Sequence, residues 1–381
     1  MSYKLNRRSF ITGSAALLAA GSLGMSAFAF ADGKTEAAAT AEDMNTFTTP
    51  AGVEVSLKHD IQTAAIDQVP LAATYVMYKG GTAEGLIGLS GSVMQTIQQT
   101  LLPTIAPDIL EADTSYYENG ELNVETLLTL NPDVVLYNGG NSEHAEMFEQ
   151  AGLPAVGFST SGDPTTLYTD WLHTLEQVYE EPGKMDEVIK WGTDLLDEVA
   201  KRVADIADED RRRVMILFSA RDGQPFVSGS DQGKGGNVFG HYWMQAAGVT
   251  NVAAELSGSE TTDMEKLYDW NPEIMFLTGP GQANTTVEDI LANTVDGMDF
   301  SPMTCVQEGK VYSNLLGMWS WMTPNPDAPL VVLWMASTAY PELFEDIDLE
   351  EKTREYYELG YHYQMTDEEV ASIYADSHVG E

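Results

Sequence analysis

Arg221 stands where a cation could serve ligand binding. It follows an apolar run, residues 214–218, that predicts a buried strand. In open α/β sheets the carboxyl ends of the strands face the ligand crevice, and a guanidinium at that edge is suited to contact an anionic group. The alternative is an arginine in an exposed loop, and the sequence leaves both interpretations open.

Two aromatic segments have the composition of a binding surface. Trp319 and Trp321 stand two positions apart beside a proline-containing loop, and we interpret them as the wall of a cleft, with buried packing as the alternative. Tyr116 and Tyr117 have the same two interpretations. Aromatic side chains supply a large contact area at low entropic cost. These four residues therefore predict binding of a planar or aromatic metal complex.

The sequence carries no motif that indicates catalysis. It contains no GxSxG and no HExxH segment, and residues 229–236 fall one residue short of the phosphate-binding loop GxxxxGK[ST]. The single cysteine, Cys305, excludes a disulfide within the chain and a zinc site built on thiolates, and the six histidines are scattered. We therefore expect no catalytic residue, no resident cofactor and no metal site.

The elements that position these residues are predicted from a repeat in the sequence. Residues 123–136 (NVETLLTLNPDVVL) and 264–277 (MEKLYDWNPEIMFL) are close variants, and their matching residues differ by a constant 140 positions, which pairs Glu125 with Glu265. Each copy predicts a short helix that stops at Asn-Pro, because proline disfavours the helical conformation of the residue before it. The apolar run that follows predicts a strand covered on both faces. Two such units imply two similar α/β lobes.

A long helix is predicted between the two repeats. Residues 182–208 carry apolar side chains at spacings close to three and four, and Pro182 suits a first helical turn. A helix of this length measures roughly 35–40 Å. We predict that it bridges an N-terminal lobe, residues 47–181, and a C-terminal lobe, residues 209–381.

The first 31 residues resemble an export signal. Arg7 and Arg8 precede an apolar stretch rich in Ala and Leu, and Ala31 ends a segment suited to cleavage. The paired arginines indicate the twin-arginine type, with a general secretory leader as the alternative. Residues 32–46 then form an alanine-rich acidic linker. We expect a protein in the periplasm or at the extracytoplasmic surface, with the signal removed.

The charge balance restricts the partners. The chain has 19 basic and 59 acidic residues, and three of the basic residues belong to the leader, so 16 remain against 59, a formal charge of −43. A surface this acidic argues against nucleic acid and anionic membrane as partners.

The order of these motifs resembles the substrate-binding proteins of ABC transporters for ferric siderophores and cobalamin. The resemblance covers nearly everything after the linker. It rests on the leader, the twin lobes and the long helix, and on the segments Asn131-Pro132-Asp133, Tyr137-Asn138-Gly139-Gly140-Asn141, Trp270-Asn271-Pro272-Glu273 and 340–369. It implies an α/β fold of two Rossmann-like lobes joined by one long backbone helix, with the ligand cleft between the lobes.

The resemblance also implies roles for residues. In that family a glutamate on each lobe docks onto arginines of the membrane permease, and Glu125 and Glu265 match those positions. Asn138, in the loop after the first repeat, joins Tyr116, Tyr117, Arg221, Trp319 and Trp321 as an expected ligand contact. The cargo would be an iron chelate or a corrinoid, carried by a monomer. Haem, a molybdate-like oxyanion and free Zn²⁺ or Mn²⁺ remain as alternative ligands, and an exported hydrolase or redox enzyme as the alternative class.

Overall fold

The computed structural model describes residues 44–67, 70–118, 120–233, 238–278, 284–314, 317–318 and 320–375 of the 381-residue chain. The expected leader with Arg7, Arg8 and Ala31 lies outside the described residues, and so does Trp319. The first strand, β1 (Asn45–Thr48), begins inside the predicted linker and pairs with β2 (Glu54–Leu57) in an antiparallel hairpin.

Four parallel strands form the sheet of the first half. Their spatial order is Leu86–Leu89 (β4), Ala64–Ile66 (β3), Val134–Asn138 (β7) and Ala155–Phe158 (β8). Tyr117–Glu118 (β5) and Glu121–Leu122 (β6) make a small antiparallel ribbon. The helices of this half are Ala72–Tyr78 (α1), Gly91–Ile97 (α2), Leu102–Ile105 (α3), Val124–Leu130 (α4), Ser142–Ala151 (α5) and Pro164–Val178 (α6).

The sheet of the second half is mixed. Its central strand, Arg213–Arg221 (β9), is parallel to Ile274–Leu277 (β13) and to Thr250–Asn251 (β11) and antiparallel to Gln224–Ser228 (β10). The outer strands are Ser259–Thr261 (β12) beside β10 and Val311–Tyr312 (β14) beside β13. The helices are Asp186–Val203 (α7), Phe239–Ala246 (α8), Met264–Trp270 (α9), Val287–Leu291 (α10), Thr304–Gln307 (α11), Ala328–Ala339 (α12), Leu349–Tyr361 (α13) and Asp367–Ile373 (α14).

Both sheets bury their two faces, as the unbroken apolar runs predict. Alternate residues of each strand belong to different apolar clusters, because successive side chains of a strand point to opposite faces. One face of each sheet joins a common cluster with the central helices; these residues include Val134, Leu136, Val214, Ile216, Ile274 and Phe276. The opposite face of each sheet has a cluster of its own. The predicted α/β fold with two lobes is confirmed.

The two sequence repeats fold alike. Helices α4 and α9 have seven residues each, and the side chains of Asn123 and Asp263, which occupy equivalent positions, cap their first turns. Both helices end at an asparagine in the left-handed conformation, Asn131 with φ 52° and Asn271 with φ 38°. The Asn-Pro stop predicted from the sequence is confirmed, and a strand follows it in each half.

The bridging helix is shorter than the predicted span 182–208. It begins at Asp186 and ends at Val203, so its 18 residues measure about 27 Å. The chain turns before it, because Gly183 has a φ of +79° and the Glu176 carboxylate accepts a hydrogen bond from the Met185 N–H at 2.7 Å. The helix packs against α8, α12 and α13.

The last helices do not belong to the second half alone. Helix α13 packs against α1 of the first half as well as against α7 and α12. A side chain at Gly360 would meet Met77 at 2.8 Å, and one at Gly81 would clash with the Tyr361 carbonyl oxygen. The end of the chain therefore contacts both halves. The predicted division into residues 47–181 and 209–381 assigns it to the second half alone. Among the described residues, no helix combines the length and apolar composition needed to cross a bilayer.

Candidate functional site

The carboxyl ends of the central strands in the second half form one side of the candidate site. The end of β13 is fixed to β9, because Thr278 donates its N–H to the Leu217 carbonyl at 3.2 Å and its hydroxyl to the Phe218 carbonyl at 2.8 Å. Phe218 and Phe226, on neighbouring strands, have ring centroids 5.8 Å apart. The parallel strands β9 and β13 end at this edge, where α/β sheets bind ligands, and the antiparallel strand β10 adds Phe226 beside Phe218.

A cavity of about 470 Å³ opens at this edge. Most of its wall is apolar, with a few hydroxyl groups and one guanidinium; the lining residues are Phe218, Ser219, Arg221, Phe226, Phe239, Ser259, Thr278, Met322 and Thr323. A volume of this size suits an organic molecule, and an apolar wall with few polar groups is the common composition of small-molecule sites.

Arg221 lies where the sequence analysis expects it. It is the last residue of β9, its side chain is exposed, and it lines the cavity. Its Nη2 donates a hydrogen bond to Asn284 Oδ1 at 3.2 Å. The guanidinium is therefore held at the mouth of the cavity by a neutral partner and keeps its charge for an anionic group.

A polar cluster lies at the carboxyl end of the sheet in the first half. Asp67 follows β3 directly and is fully buried, and its carboxylate accepts a hydrogen bond from the Tyr117 hydroxyl. His144 Nδ1 lies 2.6 Å from Asp67 Oδ2. Because an ionised carboxylate only accepts hydrogen bonds, Nδ1 carries the proton, and Nε2 is the remaining nitrogen of His144 that can contact a ligand.

Asn138 ends β7 at the same edge of this sheet and is half-buried. Its side-chain oxygen accepts hydrogen bonds from the Gly140 N–H at 3.0 Å and the Thr160 hydroxyl at 2.9 Å. This side chain shapes the loop after the strand, and its role in ligand binding stays a prediction.

Tyr116 does not line a cleft, which corrects the expectation of a ligand contact. Its side chain is fully buried and its hydroxyl donates to the Ile66 carbonyl at 2.6 Å. Burial raises the pKa of Tyr116 well above its ordinary value. Tyr117, only partly buried, remains at the polar cluster because its hydroxyl reaches Asp67.

Trp321 is also a core residue rather than a wall residue, so the interpretation as a cleft wall is wrong. It is 1% exposed and packs edge-on against Trp334 and Tyr374. Its Nε1 donates to Asp327 Oδ2 at 3.0 Å. The neighbouring Met322 is the residue that lines the cavity.

Asp327 holds the loop that carries Met322 and Thr323. It is fully buried, and Oδ2 accepts hydrogen bonds from Trp321 Nε1, from the Tyr357 hydroxyl at 2.8 Å and from the Met318 N–H at 3.4 Å. Burial raises the pKa of Asp327, and the hydrogen bonds from Tyr357 and Trp321 oppose that rise. The carboxylate thus fixes one wall of the cavity to helix α13.

The two glutamates of the repeats are not among the residues that line the cavity. Glu125 on α4 and Glu265 on α9 are exposed. Among the described residues neither carboxylate has an ion-pair or hydrogen-bond partner, whereas Lys266 beside Glu265 is paired with Glu255 at 2.7 Å. Both are available to a partner protein.

Sequence reasoning missed the aromatic wall and the polar cluster. Phe226 lies on β10 and Phe239 opens α8, and the strand that brings Phe226 to the cavity was not predicted. Asp67 and His144 are 77 positions apart, which hides their contact from any local pattern. An aspartate immediately after a buried strand is the signal that could have indicated the first half's site.

The sequence matches the model of the periplasmic binding protein family over residues 78–314. The chain belongs to that family. It is a solute-binding component of ABC import and is not an enzyme.

Solved structures of this family are similar over most of the chain. A periplasmic solute-binding protein from Veillonella parvula is 23% identical, with a TM-score of 0.76 over 88% of this chain and 98% of that one. CeuE of Helicobacter pylori, in a complex with Ni–His, is 20% identical, with a TM-score of 0.64 over 87% of this chain and 99% of that one.

The molybdate-binding protein MolA of Haemophilus influenzae is 24% identical over 261 residues, which cover 63% of this chain and 70% of MolA. Members of the family bind small ligands and work with a membrane permease.

Proposed function

We propose that the chain captures a metal complex with an organic ligand shell, an iron chelate or cobalamin, and delivers it to the permease of an ABC importer. The cavity at the end of β9 supports this proposal. Phe218, Phe226 and Phe239 offer apolar surface to the organic part of a chelate, and Arg221 offers a charge to an anionic group. We propose that these three phenylalanines make the aromatic contacts with the ligand that the sequence analysis expected from Trp321 and Tyr116.

The first half of the chain would meet the same ligand through its polar cluster. His144 carries a buried carboxylate partner on Nδ1, the arrangement that orients a histidine whose other nitrogen contacts a metal. Among the described residues there is no group of three or more His, Cys, Asp or Glu side chains that could hold an ion. A metal that is already chelated needs no such group, and His144 would add one contact to it.

A molybdate-like oxyanion is the second candidate, because MolA is similar to this chain over most of its length. Arg221 would then be the main contact. A cavity of about 470 Å³ with three phenylalanines is much larger and more apolar than a single oxyanion requires, which favours the chelate.

Titration calorimetry separates these candidates. The purified chain is titrated with a ferric siderophore, cobalamin, haem, a Ni–His complex and molybdate, together with a Phe239→Ala variant. We expect saturable binding of one metal complex, weakened at least tenfold by Phe239→Ala. If the chain binds molybdate and none of the metal complexes, and Phe239→Ala leaves that binding unchanged, the chelate proposal is refuted and the oxyanion becomes the proposed ligand.

We further propose export by the twin-arginine route, with cleavage after Ala31, on the basis of Arg7 and Arg8. N-terminal sequencing of the exported protein should begin at Asp32. Export that continues unchanged in the double variant Arg7→Lys with Arg8→Lys would refute the route.

Glu125 and Glu265 are proposed to dock the two lobes onto cationic residues of the permease. Their equivalent positions on α4 and α9, and their exposure without a partner among the described residues, support this role. Interface charge pairs of this kind also steer association.

A further inference from the structure

Each helix of the repeat exposes a large apolar side chain beside its glutamate. Leu128 on α4 is 41% exposed and Tyr268 on α9 is 36% exposed. Their positions differ by 140, the same offset that relates Glu125 to Glu265. Among the five large apolar side chains identified as exposed in the described part of the chain, these two alone fall at equivalent positions of the repeats.

The apolar residue and the glutamate share one helix face. Residues three apart on a helix are surface neighbours, so Leu128 lies next to Glu125 and Tyr268 next to Glu265. Both helices turn the same face toward the core, because Leu127 and Leu267 are fully buried at equivalent positions. Each lobe therefore presents the same pair, a carboxylate and an apolar group, outward from the core.

Tyr268 is held in place before any partner binds. Its hydroxyl donates to the Asp299 carbonyl at 2.6 Å, while its ring remains partly exposed. A side chain ordered in advance loses less entropy on association. An exposed ring held by such a bond is what a binding anchor requires, and tyrosine is enriched among such anchors.

We propose that Leu128 and Tyr268 are the apolar anchors of permease docking. This inference rests on the proposed docking role of Glu125 and Glu265. The partner is a permease that presents, at two equivalent sites, an apolar recess beside a cationic side chain. The formal net charge of −40 and the two glutamates attract the cations, and the apolar pair supplies contact area that does not depend on salt.

The test measures binding of the labelled protein to right-side-out membrane vesicles from the organism that makes it. A fluorophore is attached through Glu54→Cys, an exposed position on β2. The native Cys305 is buried, and burial raises its pKa to about 12, so it does not compete for the label. Binding isotherms are recorded from low to high salt.

We expect Leu128→Ala and Tyr268→Ala each to weaken binding about three- to tenfold without changing its salt dependence. Glu125→Gln and Glu265→Gln should weaken binding and flatten the salt dependence. Leu110→Ala, at a residue 46% exposed outside the repeats, is the matched control and should bind like the wild type.

Tyr268→Phe keeps the ring and loses only the hydrogen bond to Asp299. Because the apolar ring remains and only its pre-ordering is lost, we expect binding in this variant to fall by less than in Tyr268→Ala; a loss equal to that of Tyr268→Ala would show that the effect comes from the disturbed loop and not from the ring. Full binding by both alanine variants, with binding weakened in the glutamate variants, would overturn the apolar anchors and leave docking intact. Full binding by all four variants would overturn both proposals.

Discussion

Replacing Asp327 by alanine should destabilise the protein and loosen the wall of the cavity. In the wild type, the carboxylate is fully buried and accepts hydrogen bonds from Trp321 Nε1, from the Tyr357 hydroxyl at 2.8 Å and from the Tyr361 hydroxyl at 3.3 Å. Each buried donor left without an acceptor costs about 1–3 kcal/mol. Because the side chains relax in part, we expect a total loss of about 3–5 kcal/mol in the free energy of unfolding.

The assay is urea unfolding at pH 7, followed by circular dichroism. Asp327→Asn keeps one acceptor oxygen at the same place and should lose about half as much stability. Asp194→Ala is the control, because Asp194 forms an exposed ion pair with Lys190 at 2.5 Å and its loss should have little effect. A loss of less than about 1 kcal/mol for Asp327→Ala would refute the reasoning that buried donors depend on this carboxylate.

Three further outcomes are expected. Burial alone would raise the pKa of Asp133, but hydrogen bonds from Lys58 and two backbone N–H groups lower it overall. A carboxylate whose pKa is lower in the folded than in the unfolded protein stabilises the fold above the unfolded pKa of about 3.9. This stabilisation is lost as the pH falls through the folded pKa. In thermal unfolding, Asp133→Asn should therefore be less stable than the wild type at pH 7, and the difference should shrink as the pH falls below the unfolded pKa of about 3.9. Glu125→Ala with Glu265→Ala should reduce uptake about tenfold in a transport assay while ligand affinity in calorimetry stays unchanged, and full transport would exclude docking at these positions. Arg221→Gln should weaken binding of an anionic complex about tenfold and spare an uncharged one, and equal loss for both would show that the guanidinium acts through packing.

The repeat is the part of the fold that the sequence predicted best. A helix start, an Asn-Pro stop and an unbroken apolar strand are local signals, and in both halves they correspond to α4 with β7 and α9 with β13. The doubling of the pattern at one offset then indicated two lobes. Local signals fail where tertiary contacts decide, as at residues 182–185, where Glu176 binds the Met185 N–H and a turn replaces the first helical turn.

The candidate site was harder to predict because its residues come from distant segments. Arg221 was predicted because it follows a recognisable strand. Trp321 was misplaced, since a tryptophan beside a loop has the same sequence pattern whether its indole N–H reaches a ligand or a buried carboxylate such as Asp327. Asp67 and His144 come from different βα units, and only the parallel sheet brings them within 2.6 Å of each other.

The claim that this chain carries an organic metal complex is tested most directly by native mass spectrometry of the protein purified from its own organism. We expect one adduct per chain that contains a metal and an organic ligand, is released on denaturation, and is lost in a variant combining Phe239→Ala with Arg221→Gln. Detection of an inorganic anion as the sole adduct would contradict the account. So would an organic adduct that the double variant retains in full.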